Sequence, residues 1–245
     1  MELLRAALVL VAVVGTIIFN GIAAAGLVNG VTPAEVSAAY STVVTPAGYA
    51  FSIWSLIYFG LICFSIYQLL PTKMPRFSAV RSLVILSCLL NCTWVYFWHH
   101  RQIAICFILI AALAAVLVLI RRRLSGSDGW ADAVATAPFS IYLGWVSAAS
   151  IVNFAILLAH LGYDVGPSQG AFGAALLVLA TGLALFYRFG LTDHLAPMAV
   201  AWALTAIAVK QSGNTPVVSA AAVGVVACLI ASLSFVVNLQ GSQNE

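Results

Sequence analysis

The chain alternates between long apolar runs and short polar segments. Most of the runs have about the 20 residues that an α-helix needs to cross the hydrocarbon core of a bilayer. We therefore predict an all-α, polytopic membrane protein with about eight transmembrane helices. The predicted spans are residues 3–25, 45–70, 80–98, 102–120, 134–160, 170–189, 195–210 and 215–238.

Local signals predict where two helices begin. Thr45 is suited to cap the second span, with Pro46 at its first helical position, where the missing proline N–H has no partner to lose. In the preceding loop, Thr32 and Glu35 have the spacing of a capping box. This box predicts a short surface helix over residues 33–40.

Two features leave alternatives open. The first run ends in Ala23-Ala24-Ala25, which is compatible with a signal-peptide cleavage site. Because the run is longer than a usual signal core, we favour a retained first span. Pro138 either opens or kinks the fifth span.

Composition supports the same class. Hydrophobic residues make up 63% of the 245 residues and charged residues only 7%, whereas about a quarter of a soluble domain is charged. The formal net charge is +3, and no basic stripe interrupts the apolar runs, so the sequence offers no nucleic-acid interface. The five cysteines all lie in apolar runs, and their spacings match no zinc site, so we predict no metal site.

The distribution of basic residues predicts the orientation in the membrane. The N-terminus and the loops after spans two, four and six hold eight of the ten Lys and Arg residues. The alternate loops hold only Arg101 and Lys210. Because cytoplasmic loops are enriched in Lys and Arg, this count predicts that both termini are cytoplasmic.

No Asp, Glu, Lys or Arg lies in the middle of any predicted span. Ion-coupled transporters and general acid–base enzymes usually need such a group. We interpret Asp128, Asp132 and Asp193 as helix caps or solvated ends, and His99 with His100 as a solvated turn. The sequence therefore predicts no catalytic residue and does not indicate an ordinary enzyme.

Aromatic and amide side chains share faces on three of the predicted helices. Their spacings of three, four, seven and eleven residues place them on one side of each helix, at similar depths in the same half of the bilayer. Flat rings with few polar groups beneath a loop are typical of a ligand pocket. The candidate ligand-binding residues are Phe51, Trp54, Tyr58, Asn91, Trp94, Tyr142, Trp145, Ala149 and Asn153.

Other interpretations of these residues remain open. Buried asparagines commonly join transmembrane helices, and we rate this role for Asn91 and Asn153 somewhat above ligand contact. A tryptophan belt at the membrane interface suits Trp98 better than Trp54 or Trp145. Gly144 and Ala148, four residues apart, are small enough to let another helix approach closely.

Three segments resemble the hallmark segments of the TspO/MBR family of tryptophan-rich sensory proteins, which are related to the mitochondrial translocator protein. The segments are Phe51-Ser52-Ile53-Trp54, Leu90-Asn91-Cys92-Thr93-Trp94 and residues 145–153. The resemblance implies a five-helix bundle over residues 1–160, and residues 161–245 then form three additional helices. It also implies a pocket for porphyrins and other flat lipophilic molecules, lined by Trp54, Asn91, Trp94, Trp145, Ala149 and Asn153.

The chain departs from the family pattern at Ile141, where the family has a proline, and in a first loop without the usual tryptophan and Lys-Pro pair. Our main hypothesis is a sensor or translocator in a bacterial cell membrane. It requires no cofactor and has a porphyrin or haem as one candidate ligand. One alternative is an interaction or structural subunit of a larger membrane complex, and another is an enzyme whose chemistry belongs to a bound porphyrin. A homodimer is also open.

Overall fold

The computed structural model describes residues 2–124, 126, 129–163 and 166–241, with side chains for all of these except 167 and 235–241. Within them the chain is helical, as predicted. The α-helices are α1 (Glu2–Ala24), α2 (Pro33–Ala39), α3 (Ile53–Tyr67), α4 (Met74–Phe77), α5 (Arg81–His99), α6 (Ile103–Arg123), α7 (Trp130–His160), α8 (Gln169–Gly190), α9 (Ala196–Lys210) and α10 (Thr215–Gly241). Two 3₁₀ helices, Gly48–Ser52 and Gly166–Ser168, precede α3 and α8.

Among the described residues, seven helical segments are long and apolar enough to cross a membrane. They are α1, α3 with its 3₁₀ helix, α5, α6, α7, α8 and α10. The protein is therefore an integral, multi-pass membrane protein. At about 1.5 Å per residue, the 15-residue α9 spans only about 22 Å. Asp193, just before α9, nevertheless pairs with Arg121 at the end of α6, and Gln211, just after α9, donates to the Thr42 carbonyl in the first loop.

The helices pack around α7. Helix α7 contacts α3, α6, α8 and α9, while α1 packs on α3 and α5. Helix α9 lies against α7 and also contacts α8 and α10. The predicted division at residue 160 stays a prediction, and contacts of α9 with α7 cross that boundary.

Two glycines allow close approaches to α7. A Cβ on Gly60 of α3 would overlap the ring of Pro138, which lies inside α7 rather than at its start. A Cβ on Gly144 would overlap the Ala196 carbonyl oxygen at the beginning of α9, so the predicted close approach at Gly144 is confirmed. These contacts fix α3 and α9 against the first half of α7.

One of the two predicted helix starts is correct. Thr32 and Glu35 form the predicted capping box: Thr32 N–H donates to Glu35 Oε2 at 2.7 Å, and Glu35 N–H donates to Thr32 Oγ1 at 3.2 Å. The bonds that the Glu35 carboxylate accepts from Thr32 N–H and from the Thr32 hydroxyl lower the pKa of Glu35.

The predicted start at Thr45 and Pro46 is wrong. Helix α3 begins at Ile53, and Thr45 Oγ1 instead accepts a bond from Thr42 N–H at 2.8 Å. Ala47 is extended, and its N–H donates to the Ala206 carbonyl of α9 at 3.0 Å. A tertiary hydrogen bond that the local sequence does not reveal therefore delays the helix.

The two ends of the helical bundle differ in their content of Lys and Arg residues. We call the end where α1, α5, α7 and α9 begin the basic end, and the opposite end, which carries residues 25–47 with α2, the roof end. All Lys and Arg residues except Arg101 and Lys210 lie at the basic end.

Two acidic residues at the basic end, which we predicted to be helix caps or solvated ends, are buried. Asp132 accepts the Tyr67 hydroxyl at 2.7 Å and pairs with Lys73 and Arg76, each at 2.8 Å. The hydrogen bond that Lys73 donates to Asp132 raises the pKa of Lys73. Asp193 does cap α9, as predicted, but it is only 1% exposed and pairs with Arg121 at 2.7 Å. Asp128 lies outside the described residues.

The predicted solvated turn after α5 is half correct. His100 is exposed, whereas His99 is fully buried and its Nδ1 donates to the Val95 carbonyl at 2.7 Å. Asn29 of the roof also donates to the His99 carbonyl at 2.8 Å, which draws this turn under the first loop.

The Gly60 contact predicts a loss of stability on enlarging this residue. Gly60→Ala should lower the free energy of unfolding in detergent by about 1–3 kcal/mol, because the methyl group overlaps Pro138. Gly182→Ala on α8 is the matched control, since a Cβ there meets no atom within 4 Å. Equal stability of the two variants in thermal unfolding would contradict the close packing of α3 on α7.

Candidate functional site

Trp54 lies at the centre of an aromatic cluster between α3 and α7. Its ring stacks on Tyr58 with centroids 5.3 Å apart and an interplanar angle of 18°. It meets Tyr142 and Trp145 edge-on, at 5.5 and 6.2 Å. Phe51 also meets Trp145 edge-on, at 6.0 Å. The rings predicted to share faces on α3 and α7 therefore contact one another.

A second aromatic pair lies on α5. Trp94 and Trp98 stack with centroids 5.3 Å apart. Trp98 is only 2% exposed, and its Nε1 donates to the Pro33 carbonyl at the start of α2 at 3.2 Å. The interface-belt interpretation of Trp98 is wrong, because this indole faces the interior and ties the roof to α5.

A small cavity, which we call the inner cavity, lies between these rings. Its volume is about 40 Å³, room for only a few water molecules. Six predicted residues line it: Phe51, Trp54, Trp94, Trp145, Ala149 and Asn153. The residues that the prediction missed are Ser37, Pro46, Trp98, Ile110, Ala148, Val152, Ala203 and Ile207.

A larger cavity, which we call the α1 cavity, adjoins the inner cavity. Its volume is about 340 Å³, within the usual range for small-molecule sites of about 300–1,000 Å³. Phe51, Trp54 and Trp94 line both cavities and thus separate them. Tyr58 of α3, Asn20 of α1 and the beginning of α2 complete the α1 cavity.

Asn91 and Tyr142 are not among the described residues that line either cavity. Tyr142 lies behind Trp54, as its ring contact shows. Asn91 is fully buried, and its Oδ1 accepts a hydrogen bond from Asn20 Nδ2 at 2.7 Å. Asn91 therefore joins α5 to α1. Asn20 lies alone among apolar residues in the first span, so no spacing pattern in the sequence indicates it.

Three buried polar atoms near the cavities have no hydrogen-bond partner within the described part of the chain. They are the Tyr58 hydroxyl, Asn91 Nδ2 and Trp145 Nε1. Leaving such a group unpaired costs about 1–3 kcal/mol. Of these residues, Trp145 lines the inner cavity and Tyr58 lines the α1 cavity.

No charged side chain of the described residues lines either cavity. The polar lining consists of amide, hydroxyl and indole groups, such as Asn153, whose Oδ1 accepts a weak bond from Trp94 Nε1 at 3.4 Å. The arrangement can hold an apolar molecule between aromatic walls and orient it with neutral donors and acceptors.

Comparison with known proteins identifies the family. A family model described as TSPO-like protein matches residues 6–235, nearly the whole chain. The chain belongs to the TSPO-like family. The match includes α8, α9 and most of α10, so it extends beyond the five helices on which the sequence resemblance rested. No curated protein and no solved structure matches the chain.

In this TSPO-like protein, the Asn20–Asn91 hydrogen bond should contribute to stability. A double-mutant cycle with Asn20→Ala and Asn91→Ala should give a coupling free energy of about 0.6 kcal/mol, the average for such bonds between transmembrane helices. The measurement is unfolding in mixed detergent micelles. Asn20 paired with Asn153 is the control cycle and should show no coupling. Zero coupling in both cycles would contradict a joining role for Asn91.

Proposed function

We propose that this TSPO-like membrane protein binds a flat, largely apolar molecule at Trp54, as a sensor or translocator. The observation that carries the proposal is the position of this indole between two cavities, with Tyr58 and Trp145 in contact with it. Each aromatic wall that stacks on a planar ligand contributes about 1–3 kcal/mol.

The size of the cavities implies that Trp54 moves when a ligand binds. The inner cavity of about 40 Å³ is far too small for a planar molecule of several rings. Trp54 is half-buried, and a rotation of its side chain would join the inner cavity to the α1 cavity. Displacing one indole is a smaller change than separating helices that contact each other as closely as α3 and α7.

The lining favours a ligand with apolar faces and a few oxygen atoms at its edge. The Tyr58 hydroxyl and Trp145 Nε1 lack partners in the described chain and can donate to such oxygens. A tetrapyrrole combines a large flat ring with edge carboxylates, so a porphyrin or haem is the candidate ligand. The protein requires no cofactor in this proposal.

The neutral lining bears on the mode of action. Ion-coupled transport usually depends on an ionisable side chain at membrane depth, and the described lining has none. This favours sensing, or translocation down a gradient, over transport driven by protons.

The charge distribution supports an orientation with both termini in the cytoplasm. Eight of the ten Lys and Arg residues lie at the basic end, where α1 begins and α10 ends. The roof and the cavities then lie towards the outer face. We place the protein in a bacterial cell membrane.

Cysteine labelling tests the orientation. A membrane-impermeant maleimide added to intact cells should label Ser212→Cys, in the exposed turn after α9, but not Thr72→Cys before α4. Labelling of the wild-type protein gives the background from its native cysteines. Labelling of Thr72→Cys alone would reverse the orientation. Labelling of neither would mean that α9 does not cross, and labelling of both would mean that α9 does not cross and that the orientation is reversed.

Tryptophan fluorescence tests the ligand. Protoporphyrin binding should quench the fluorescence of the purified protein, and Trp54→Ala or Trp145→Ala should each weaken binding by about 1–3 kcal/mol, because each removes an aromatic wall. The two losses should be less than additive, since both rings contact the same molecule.

Trp130→Ala is the matched control for these variants. Trp130 is 83% exposed at the basic end, away from the cavities, so its removal should leave affinity unchanged. If protoporphyrin binds the Trp54→Ala/Trp145→Ala double variant as tightly as the wild type, these rings are packing residues and the proposed site is wrong.

A further inference from the structure

Helix α9 forms one wall of the inner cavity. Ala203 and Ile207, one turn apart on the same face, line the cavity opposite the rings of α3 and α5. Both are almost fully buried, at 3% and 2% exposed. The first five spans alone therefore leave the inner cavity open on this side.

Hydrogen bonds hold this wall in place. The Ala206 carbonyl accepts from Ala47 N–H at 3.0 Å, and Trp202 Nε1 donates to the Ala50 carbonyl at 3.0 Å. At the end of the helix, Gln211 Nε2 donates to the carbonyls of Thr42 and Thr45, at 2.9 and 3.2 Å. These bonds attach α9 to the roof and to the 3₁₀ helix that carries Phe51.

The other end of α9 is fixed as well. Its first residue lies against Gly144 of α7 so closely that no side chain would fit between them. Because α9 is held by α7 at the basic end and by the roof at the other, it cannot retreat freely from a ligand. A wall with a fixed position discriminates by size, since the ligand must fit it rather than displace it.

We propose that α9 sets the size of the molecule that the inner cavity accepts, with Ala203 and Ile207 as its specificity-determining residues. The inference rests on the proposed function. Because Ala203 has a small side chain, it leaves the volume of the inner cavity free. A larger apolar side chain at position 203 would fill part of that volume. The isoleucine at position 207 limits the cavity on the roof side.

Selectivity between two planar probes tests this role. Ala203→Leu should weaken binding of protoporphyrin by about tenfold or more, because even one methylene in an apolar pocket changes affinity by about 10–200-fold. Binding of acridine, a much smaller planar molecule, should change by less than about threefold. Ile207→Ala should raise the affinity for protoporphyrin relative to the affinity for acridine, because this substitution enlarges the inner cavity.

Thr205→Leu is the matched control, because Thr205 lies on the exposed side of the same helix. Its two affinities should equal those of the wild type. Affinities are measured by titration of purified full-length protein, with thermal unfolding as the check on folding. If Ala203→Leu does not fold, Ile207→Ala carries the test alone, since it only removes atoms.

The outcomes separate the two proposals. If the wild type binds neither probe, the proposed function fails and the role of α9 fails with it. If the wild type binds but Ala203→Leu and Ile207→Ala retain the wild-type affinity ratio, the ligand-binding function stands and the role of α9 is wrong.

Discussion

The close packing of α7 against its neighbours is the constraint on which the rest of the structure depends. Gly60 of α3 meets Pro138, and Gly144 meets the start of α9, both without room for a Cβ. The residues of α7 that line the inner cavity, from Trp145 to Asn153, come after these contacts in the chain and lie towards the roof. These two close contacts of α7 therefore lie below the cavity, and large aromatic side chains surround the cavity itself. Small residues at one level and rings at the next produce a pocket without any break in the helices.

Charge at the basic end complements this packing. Asp132 at the start of α7 is paired with Lys73 and Arg76, and Asp193 before α9 is paired with Arg121. A buried carboxylate is tolerated only when it is paired and hydrogen-bonded, and both meet that condition. The ion pairs connect the helix ends at the basic end. The roof end is held by neutral hydrogen bonds instead, such as those of Gln211 and Trp98.

The sequence predicted the fold class and much of the cavity lining because both depend on periodic patterns. Trp54, Trp94 and Trp145 are large aromatic residues in apolar runs, and their spacing was enough to bring them together. Ala203 and Ile207 could not be found this way, because an alanine or isoleucine in a membrane helix carries no signal of what it faces. Thr45, Trp98 and Asp132 were misinterpreted for a related reason. Each has a partner far away in the chain, and a local pattern cannot show that partner.

The unpaired polar atoms bear on how a closed pocket could respond to a ligand. We call the arrangement in which Trp54 separates the two cavities the closed arrangement. In it, the Tyr58 hydroxyl and Trp145 Nε1 are buried without partners among the described residues. Each such atom costs about 1–3 kcal/mol, which reduces the stability of the closed arrangement relative to one in which the atom is paired. A ligand shifts an equilibrium between two arrangements only through its difference in affinity for them. Under the proposed function, a molecule with oxygen atoms at its edge gains that difference here, because it supplies acceptors that the closed pocket lacks. Trp54 contacts both Tyr58 and Trp145, so the side chain that must move is the one in contact with both unpaired donors.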